Sequence, residues 1–293
     1  EQMVRQRLYG ILAGYADCND HDTLRAEPVF KLIAGRQPAD DPLASQPTLC
    51  RFENGVTPAE LQRLIDFTID TGVERINDKH GRMPDQVTLD LDTTDDPCHG
   101  DQQLRLFHGY YDQYQYLPLI ISEPTTQHVF LSWLRPGTLH PTRGADDDLL
   151  RVAGKLREAR PDVKIHVRGD ADFGLPVMMD CCEKQGFSYT FGLRTNARLK
   201  QIAQPLMDKA IRCYERTGKK QRLFMRLMYQ ADSWPQPRRV VAKAECPAGG
   251  TNLRFVVTNL DVPGTRQARC IYDDYIQRGE SEQRMDELKN GLA

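Results

Sequence analysis

The acidic side chains best placed for chemistry follow a short apolar segment. Residues 86–94 read Gln-Val-Thr-Leu-Asp-Leu-Asp-Thr-Thr, and the polar run Asp-Asp-Pro comes next. This pattern predicts a buried strand that delivers Asp92 to the edge of a sheet. Six acids and no Lys or Arg lie between Asp85 and Asp101, so like charges crowd together unless a cation or a proton relieves them. Asp92 is therefore a candidate catalytic carboxylate, and an acidic strand end in open solvent is the alternative.

A second acid follows another short apolar segment. Residues 163–167 predict a buried strand, and Arg-Gly-Asp-Ala-Asp-Phe comes directly after them. Asp170 would then lie at the carboxyl end of a strand, where open α/β sheets build their sites. The alternative is a strand-to-helix turn that is capped by Asp170 or Asp172.

Four polar side chains near the end of the chain have helical spacing. Tyr275, Arg278, Glu282 and Lys289 are separated by three, four and seven residues, so one helix would carry them all on one face. An amphipathic charged helix with ordinary ion pairs is the alternative.

The elements that position these residues predict an α/β protein with a mixed sheet. Residues 1–83 form an N-terminal helical region, in which Thr57 and Glu60 form a capping box at a helix start. A packing or linking role is the default for this region, and a DNA-contacting helical module is the alternative. Residues 84–193 are the first part of the catalytic core, with neighbouring strands followed by a helical crossover. Residues 194–264 are a basic, mostly β insertion, and residues 265–293 are the terminal helix of the core.

The start of this insertion is strongly basic. It has two acids among ten basic residues, an excess of eight positive charges: Arg194, Arg198, Lys200, Lys209, Arg212, Arg216, Lys219, Lys220, Arg222 and Arg226. Aromatic residues are interleaved with them or follow them, a pattern that suits phosphate contacts and base stacking. A solvated helix and hairpin is the alternative. The net charge of −2 for all 293 residues argues against indiscriminate binding of nucleic acid.

Composition excludes several classes of protein. No apolar run approaches the roughly 20 residues that span a bilayer, and no signal peptide opens the chain, so an intracellular protein is expected. The eight scattered cysteines include no C-x-x-C, which argues for reduced thiols. Because the chain starts at Glu1 and stops soon after a predicted helix, a fragment truncated at both ends is expected.

Two families resemble parts of this pattern. Asp90-Leu-Asp92-Thr-Thr94 resembles the first motif of haloacid-dehalogenase-like Mg-dependent phosphatases, in which Asp90 would be the nucleophile and Asp92 the acid/base. Gly169-Asp-Ala-Asp172 supplies only half of the later acidic loop of that family. This resemblance accounts for neither the basic insertion nor the terminal spacing.

The second resemblance covers nearly the whole chain. Asp92, Asp170, a long insertion and then Glu282 on a helix resemble the ribonuclease-H-like core of the DDE transposases. Tyr275-x2-Arg278-x3-Glu282-x6-Lys289 is similar to the Tyr-Arg-Glu-Lys signature of bacterial insertion-sequence transposases. The segments Leu-Asp-Leu-Asp-Thr-Thr-Asp-Asp-Pro, Phe-His-Gly-Tyr-Tyr and Arg-Gly-Asp resemble the branch known as transposase DDE group 1.

This resemblance implies a metal-dependent DNA transposase. Two Mg²⁺, which Mn²⁺ can replace, would be held by Asp92, Asp170 and Glu282, with Asp92 bridging the pair. Water would nick the transposon end, and the freed 3′-hydroxyl would attack target DNA in a cut-and-paste reaction. An inactive, truncated DNA-binding remnant is the non-enzymatic alternative.

The resemblance also implies partners and DNA-binding residues. The partner is double-stranded DNA, at the terminal inverted repeats of the transposon and at the target, and a homodimer on paired ends is expected, in the bacterial cytoplasm at the nucleoid and without a membrane. Tyr275, Arg278 and Lys289 would hold phosphates near the transposon end. An aromatic residue in the insertion would stack a flipped base, for which Trp234 is the candidate and a buried core tryptophan is the alternative. Arg238 and Arg239 are further candidates for DNA binding.

Overall fold

Helices form the first part of the chain. The computed structural model describes residues 1–15, 17–98, 100–110, 112–261, 263–280, 283–285 and 287. The chain divides into two compact units, one that includes residues 1–66 and one that begins at Phe67. The helices before the first strand are α1 (Gln2–Leu12), α2 (His21–Leu24), α3 (Pro28–Ile33), α4 (Gln46–Asn54) and α5 (Pro58–His80). The prediction of an N-terminal helical region is confirmed, whereas the boundaries of the four predicted regions stay predictions.

Side-chain hydrogen bonds in the first part of the chain join both distant and neighbouring residues. The side-chain amide of Gln6 is buried and pairs with the backbone of Ala44, donating to its carbonyl at 2.9 Å and accepting from its N–H at 3.1 Å. The predicted capping box at the start of α5 is present, because the Glu60 carboxylate accepts from the Thr57 N–H at 2.8 Å and the Thr57 hydroxyl accepts from the Glu60 N–H at 3.3 Å.

The second unit is a mixed α/β structure around one large sheet. Its strands and helices, in chain order, are β1 (Gln86–Thr93), β2 (Asp96–Pro97), β3 (Leu106–His108), β4 (Gln113–Tyr116), β5 (Leu119–Glu123), β6 (His128–Trp133), α6 (Ala145–Ala159), β7 (Lys164–Gly169), α7 (Pro176–Gln185), β8 (Ser188–Leu193), α8 (Ala197–Thr217), β9 (Gln221–Tyr229), β10 (Arg238–Cys246), β11 (Asn252–Thr258) and α9 (Thr265–Ile276). The eight-stranded sheet has the order β6-β5-β1-β7-β8-β11-β10-β9. The predicted mixed sheet with flanking helices is confirmed, and it is compatible with a ribonuclease-H-like fold. Among the described residues, no helix has the length and apolar character that crossing a membrane requires.

The centre of the sheet is parallel and its two sides are antiparallel. β7 pairs in parallel with β1 and with β8, and the crossovers run through helices as predicted. The region predicted as a mostly β insertion contains the 21-residue helix α8 as well as strands β9, β10 and β11. These strands join the main sheet, because β11 pairs with β8.

A second, three-stranded sheet follows β1, with the order β2-β4-β3. β3, which covers only Leu106–His108, is an edge strand of this small sheet. Leu104 has a φ of 63°, a left-handed conformation that a strand does not accommodate, so β3 begins after it.

Helices α8 and α9 cover opposite faces of the same strands. Leu223 packs against α8 and its neighbour Phe224 packs against α9. Successive side chains of a strand point to opposite faces of the sheet, so the two helices lie on opposite sides of β9 and β10.

The C-terminal helix is shorter than predicted. α9 ends at Ile276, residues 277 and 278 form a turn, and helical conformation resumes at Gly279. In this turn the Gln277 N–H donates to the Asp274 carbonyl at 3.1 Å and the Arg278 N–H donates to the Tyr275 carbonyl at 3.2 Å. These bonds span three residues instead of four, so the prediction of one uninterrupted helix through Tyr275 and Arg278 is wrong.

Candidate active site

Two of the predicted catalytic carboxylates come together at the carboxyl ends of parallel strands. Leu91 of β1 is the register partner of Gly169, the last residue of β7. Asp92 continues β1, and Asp170 directly follows β7. Neighbouring strands lie about 4.8 Å apart, and partner positions in a parallel pair carry their side chains on the same face. Continuing this register by one residue brings Asp92 and Asp170 to neighbouring positions at the carboxyl ends of two adjacent strands. Asp92 is buried and Asp170 is half-buried.

The buried side chain of Arg278 lies beside Asp92. The Arg278 guanidinium Nη1 is 3.3 Å from Oδ2 of Asp92, and both residues are buried. The Arg278 guanidinium carbon lies 5.7 Å from the centre of the Tyr275 ring, within the range of a cation–π contact. The turn that follows α9 thus brings Arg278 to Asp92, and Tyr275 in the last turn of α9 contacts Arg278.

Burial and a neighbouring negative charge act against the ionised form of Asp170. Burial raises the pKa of Asp170 and the charge of Asp172 raises it further, while the N–H groups of Asp172 and Phe173 and the charge of Arg278 act in the other direction. The Asp172 N–H donates to Oδ1 of Asp170 at 2.8 Å. The net pKa stays raised, so these partners do not fully compensate the negative charge of this carboxylate.

The donor set suits a hard divalent metal ion. Carboxylate oxygens are the ligands that Mg²⁺ prefers, and Asp92 and Asp170 supply them on adjacent strands. Among the residues that the structure describes, no three His, Cys, Asp or Glu side chains form a metal-binding group. Glu282, the third predicted ligand, and Lys289 lie outside the described residues. The two carboxylates fit a metal site to which a further oxygen ligand has to be added.

Asp90 has a different environment from Asp92. Arg168 donates from Nε to Oδ1 of Asp90 at 2.7 Å and from Nη2 to Oδ2 at 2.8 Å. The two side chains are register partners on β1 and β7 and are only 1% and 2% exposed. A nucleophile must reach its substrate, and Asp90 is buried with both oxygens bonded to Arg168. The phosphatase hypothesis, which required Asp90 as nucleophile, is therefore wrong.

Arg168 also contacts α9. Its Nη1 donates to the backbone carbonyl of Asp274 at 2.7 Å and lies 3.4 Å from Oδ1 of the same residue. His166 Nε2 lies 3.5 Å from Oδ2 of Asp274. Burial alone would raise the pKa of Asp274, but the contact with His166 and the charge of Arg168 lower it. The last turn of α9 is thus bonded to Arg168 of β7, which precedes Asp170 by two residues.

Sequence reasoning assigned no role to Arg168 or Asp274. It also assigned none to Gly192 of β8, where an added Cβ would lie 2.7 Å from the Tyr275 hydroxyl oxygen. A signal for Arg168 was available, because Arg168 precedes Asp170 by two residues and Asp90 precedes Asp92 by two. Opposite charges at equivalent positions of two parallel strands indicate a cross-strand ion pair. Asp274 and Gly192 carry no such signal, since their partners are distant in the sequence.

The predicted base-stacking residue lies inside the protein. Trp234 is 5% exposed and packs edge-to-face on Tyr229 with the ring centres 5.5 Å apart. A base needs an exposed ring face for stacking, so the structure favours the alternative of a buried core tryptophan.

The two predicted DNA-binding arginines of β10 differ in exposure. Arg238 is 4% exposed, and its guanidinium bonds to Glu183 at 2.7 Å and to Asp180. This buried ion pair leaves Arg238 no surface for a phosphate, so its assignment as a DNA contact is corrected to a structural one. The side chain of Arg239 is 44% exposed and lies 3.7 Å from Asp261, which keeps it accessible to DNA.

Part of the predicted basic stretch lies on the solvent side of α8. Lys209, Arg212 and Arg216 are exposed and follow one another at helical intervals. The opposite side of α8 packs Met207 and Ala210 against β9 and β10. Because α9 covers the other face of these strands, the basic surface and α9 lie on opposite sides of the sheet.

Comparison with known proteins identifies the family of this chain. Curated proteins give no significant match. The model of the family described as transposase DDE domain group 1 matches residues 1–293, the whole chain. The chain therefore belongs to the transposase DDE domain group 1 family.

Proposed function

We propose that this protein is a DNA transposase that nicks DNA at transposon ends and then joins the freed 3′-hydroxyl to target DNA in a cut-and-paste reaction. The observation that carries the proposal is the placement of Asp92 and Asp170 at equivalent positions of β1 and β7, with Arg278 against Asp92, in a chain of the DDE family. Glu282 is proposed as the third carboxylate.

The carboxylates are proposed as metal ligands. Asp92, Asp170 and Glu282 would hold two Mg²⁺, which Mn²⁺ can replace. The bound ions would polarise the phosphate and stabilise charge on the attacking and leaving oxygens. The protein's own contribution would be to hold Asp92 and Asp170 at the ends of two adjacent, register-paired strands.

Positive charge beside the carboxylates would hold the DNA backbone. Arg278 lies against Asp92, and it would pair with a phosphate oxygen that is bound at the carboxylates. Tyr275 supports Arg278 through its ring, and Lys289 is proposed as a further phosphate contact. Arg239 and the basic surface of α8 (Lys209, Arg212 and Arg216) are accessible for additional contacts.

The partners follow from this activity. Double-stranded DNA is the proposed substrate, at terminal inverted repeats and at the target, and two copies of the chain are proposed to act on paired ends. An insertion-sequence transposase of the Tyr-Arg-Glu-Lys group, acting at the bacterial nucleoid, is the finer assignment that we propose.

Nicking of DNA tests the proposal. The protein is incubated with Mg²⁺ and labelled duplexes that carry the terminal sequences flanking its reading frame. We expect nicks at the ends in wild-type protein and none in Asp92→Asn or Asp170→Asn, with DNA binding retained in both. Asp96→Asn is the matched control, because Asp96 belongs to the same acidic stretch but is exposed on β2. Nicking that persists in Asp92→Asn or Asp170→Asn would remove that residue from the site.

A further inference from the structure

We propose that Arg168 is a positioning residue for the transposase reaction: it sets the place of the α9 C-terminus, and so of Tyr275 and Arg278, relative to the carboxylate pair. This inference rests on the proposed function. Arg168 is not a metal ligand or a DNA contact here, because it is 2% exposed and its guanidinium is bonded inside the protein.

The first half of the argument is the contact between Arg168 and Asp90. Two parallel N–H···O bonds of 2.7 and 2.8 Å give the paired geometry in which guanidinium and carboxylate groups bind most strongly. Because Asp90 and Arg168 are register partners on β1 and β7, this pair also fixes the orientation of the guanidinium. Its third nitrogen, Nη1, is left to point toward α9.

The second half is the bond from that nitrogen to α9. The last carbonyls of a helix have no intrahelical N–H partner, and basic side chains can satisfy them. Nη1 of Arg168 reaches the Asp274 carbonyl at 2.7 Å, one residue before Tyr275 and four before Arg278. The same carbonyl accepts the short-range Gln277 N–H, so the helix ends here and the chain turns toward Asp92.

The three bonded residues Asp90, Arg168 and Asp274, here called the anchor, each lie close in the chain to a candidate site residue. Asp90 and Asp92 are two residues apart on one face of β1, and Arg168 and Asp170 are two residues apart on the same face of β7. Asp274 precedes Tyr275 directly. Each member of the anchor is therefore joined to a candidate site residue through at most two residues of backbone, and a shift in the anchor moves the site.

The other ion pair of α9 and its apolar contacts do not connect its C-terminus to β1 and β7. Asp273 pairs with Arg222 of β9 at 2.6 Å, but that bond attaches the helix to the side of the sheet away from β1 and β7. The apolar side of α9, with Ala268 and Ile271, packs on the same outer strands. Within the described residues, Arg168 and His166 are the polar side chains of the central strands that reach Asp274.

The test compares two variants. Arg168→Gln removes the paired bonds to Asp90, and Arg222→Gln removes the ion pair between Arg222 and Asp273 of α9. We measure single-turnover nicking at saturating DNA, the affinity for the same DNA, and amide hydrogen exchange along α9. We expect nicking to fall about 100-fold in Arg168→Gln, as ångström-scale misplacement of reacting groups does, with DNA affinity unchanged. Exchange in the last turn of α9 should quicken more in Arg168→Gln than in Arg222→Gln, because Arg222 holds Asp273 of this turn only to the edge strand β9.

Arg168→Lys keeps the proposal testable if Arg168→Gln does not fold. Lysine retains the buried charge but cannot bond Asp90 twice and the carbonyl as well, so nicking should still fall at least about tenfold. Val152→Ala, in the core of α6, is the control for reduced stability and should nick at the wild-type rate below its melting temperature. Wild-type nicking by Arg168→Lys, or equal exchange in the two arginine-to-glutamine variants, would overturn the proposal. If wild-type protein does not nick DNA, the proposed function fails, and the exchange measurement still decides whether Arg168 holds α9.

Discussion

Gly192 of β8 occupies a position where a methyl group has no room, and Gly192→Ala tests how closely α9 approaches the sheet. A Cβ at this position would lie 2.7 Å from the backbone nitrogen of Ala171, 2.7 Å from the Tyr275 hydroxyl oxygen and 2.9 Å from the carbonyl carbon of Asp170. Two of these three atoms belong to the backbone beside the candidate site, so they cannot move aside cheaply. Displacing the Tyr275 ring would relieve only one of the three contacts, so the backbone of residues 170 and 171 would have to shift as well.

The expected cost follows from this crowding. Overpacking a closely packed site costs about 1–3 kcal/mol. Gly154→Ala in α6 is the matched control, because a Cβ there would meet no atom within 4 Å and alanine in a helix interior is favoured by about 0.5–1 kcal/mol. The two variants should therefore differ by about 1.5–4 kcal/mol in free energy of unfolding, which is about 3–16 °C in melting temperature for a unit of this size.

Thermal unfolding and nicking are measured on both variants. We expect Gly192→Ala to melt below wild type and to lose nicking more than DNA affinity, because Tyr275 is displaced from Arg278. Gly154→Ala should melt at or slightly above wild type and nick normally. Equal melting temperatures would refute the reasoning, since they would mean that α9 and the loop after β7 relax around a methyl group without cost.

Three further predictions concern charge. Changing Lys209, Arg212 and Arg216 of α8 together to glutamine should reduce the slope of log affinity for random duplex DNA against log salt by about 0.9 for each phosphate that these side chains neutralise, with an unchanged slope counting against the surface. Burial raises the pKa of Tyr272 to about 12, so the unfolded chain ionises first above pH 10 and stability should fall between pH 10 and 12 by about 2–3 kcal/mol, as followed by denaturant titration. Tyr272→Phe should remove this fall. Because the pKa of Asp170 is raised, its charge disfavours folding at neutral pH, so Asp170→Asn should melt above wild type in EDTA; a lower melting temperature would contradict this sign.

The sequence pattern predicted those elements whose structure depends on residues close together in the chain. The apolar segment before Asp92 predicts β1, and the Thr57–Glu60 capping box predicts the start of α5, because each depends on residues a few positions apart. Asp92 and Asp170 could be paired as well, since the carboxyl ends of parallel strands meet at one edge of a sheet.

Partners distant in the sequence explain what the pattern did not predict. At the end of α9, the Asp274 carbonyl accepts a hydrogen bond from Arg168, which lies 106 residues earlier in the chain. Arg238 alternates like an exposed strand residue, but Glu183, 55 residues away, takes it into the interior. Helical spacing and strand alternation contain no information about such contacts.

The strands that follow α8 are part of the main sheet, which limits how the chain can be shortened. Removing residues 197–258 would take β11 away from β8, and the N–H and C=O groups of β8 that now pair with β11 would become an open edge available to other chains. It would also remove Phe224, Val241 and Val256, on which α9 rests. A version of this protein without the segment would therefore tend to aggregate and would lose its support for α9, so the segment is structurally indispensable rather than a detachable accessory.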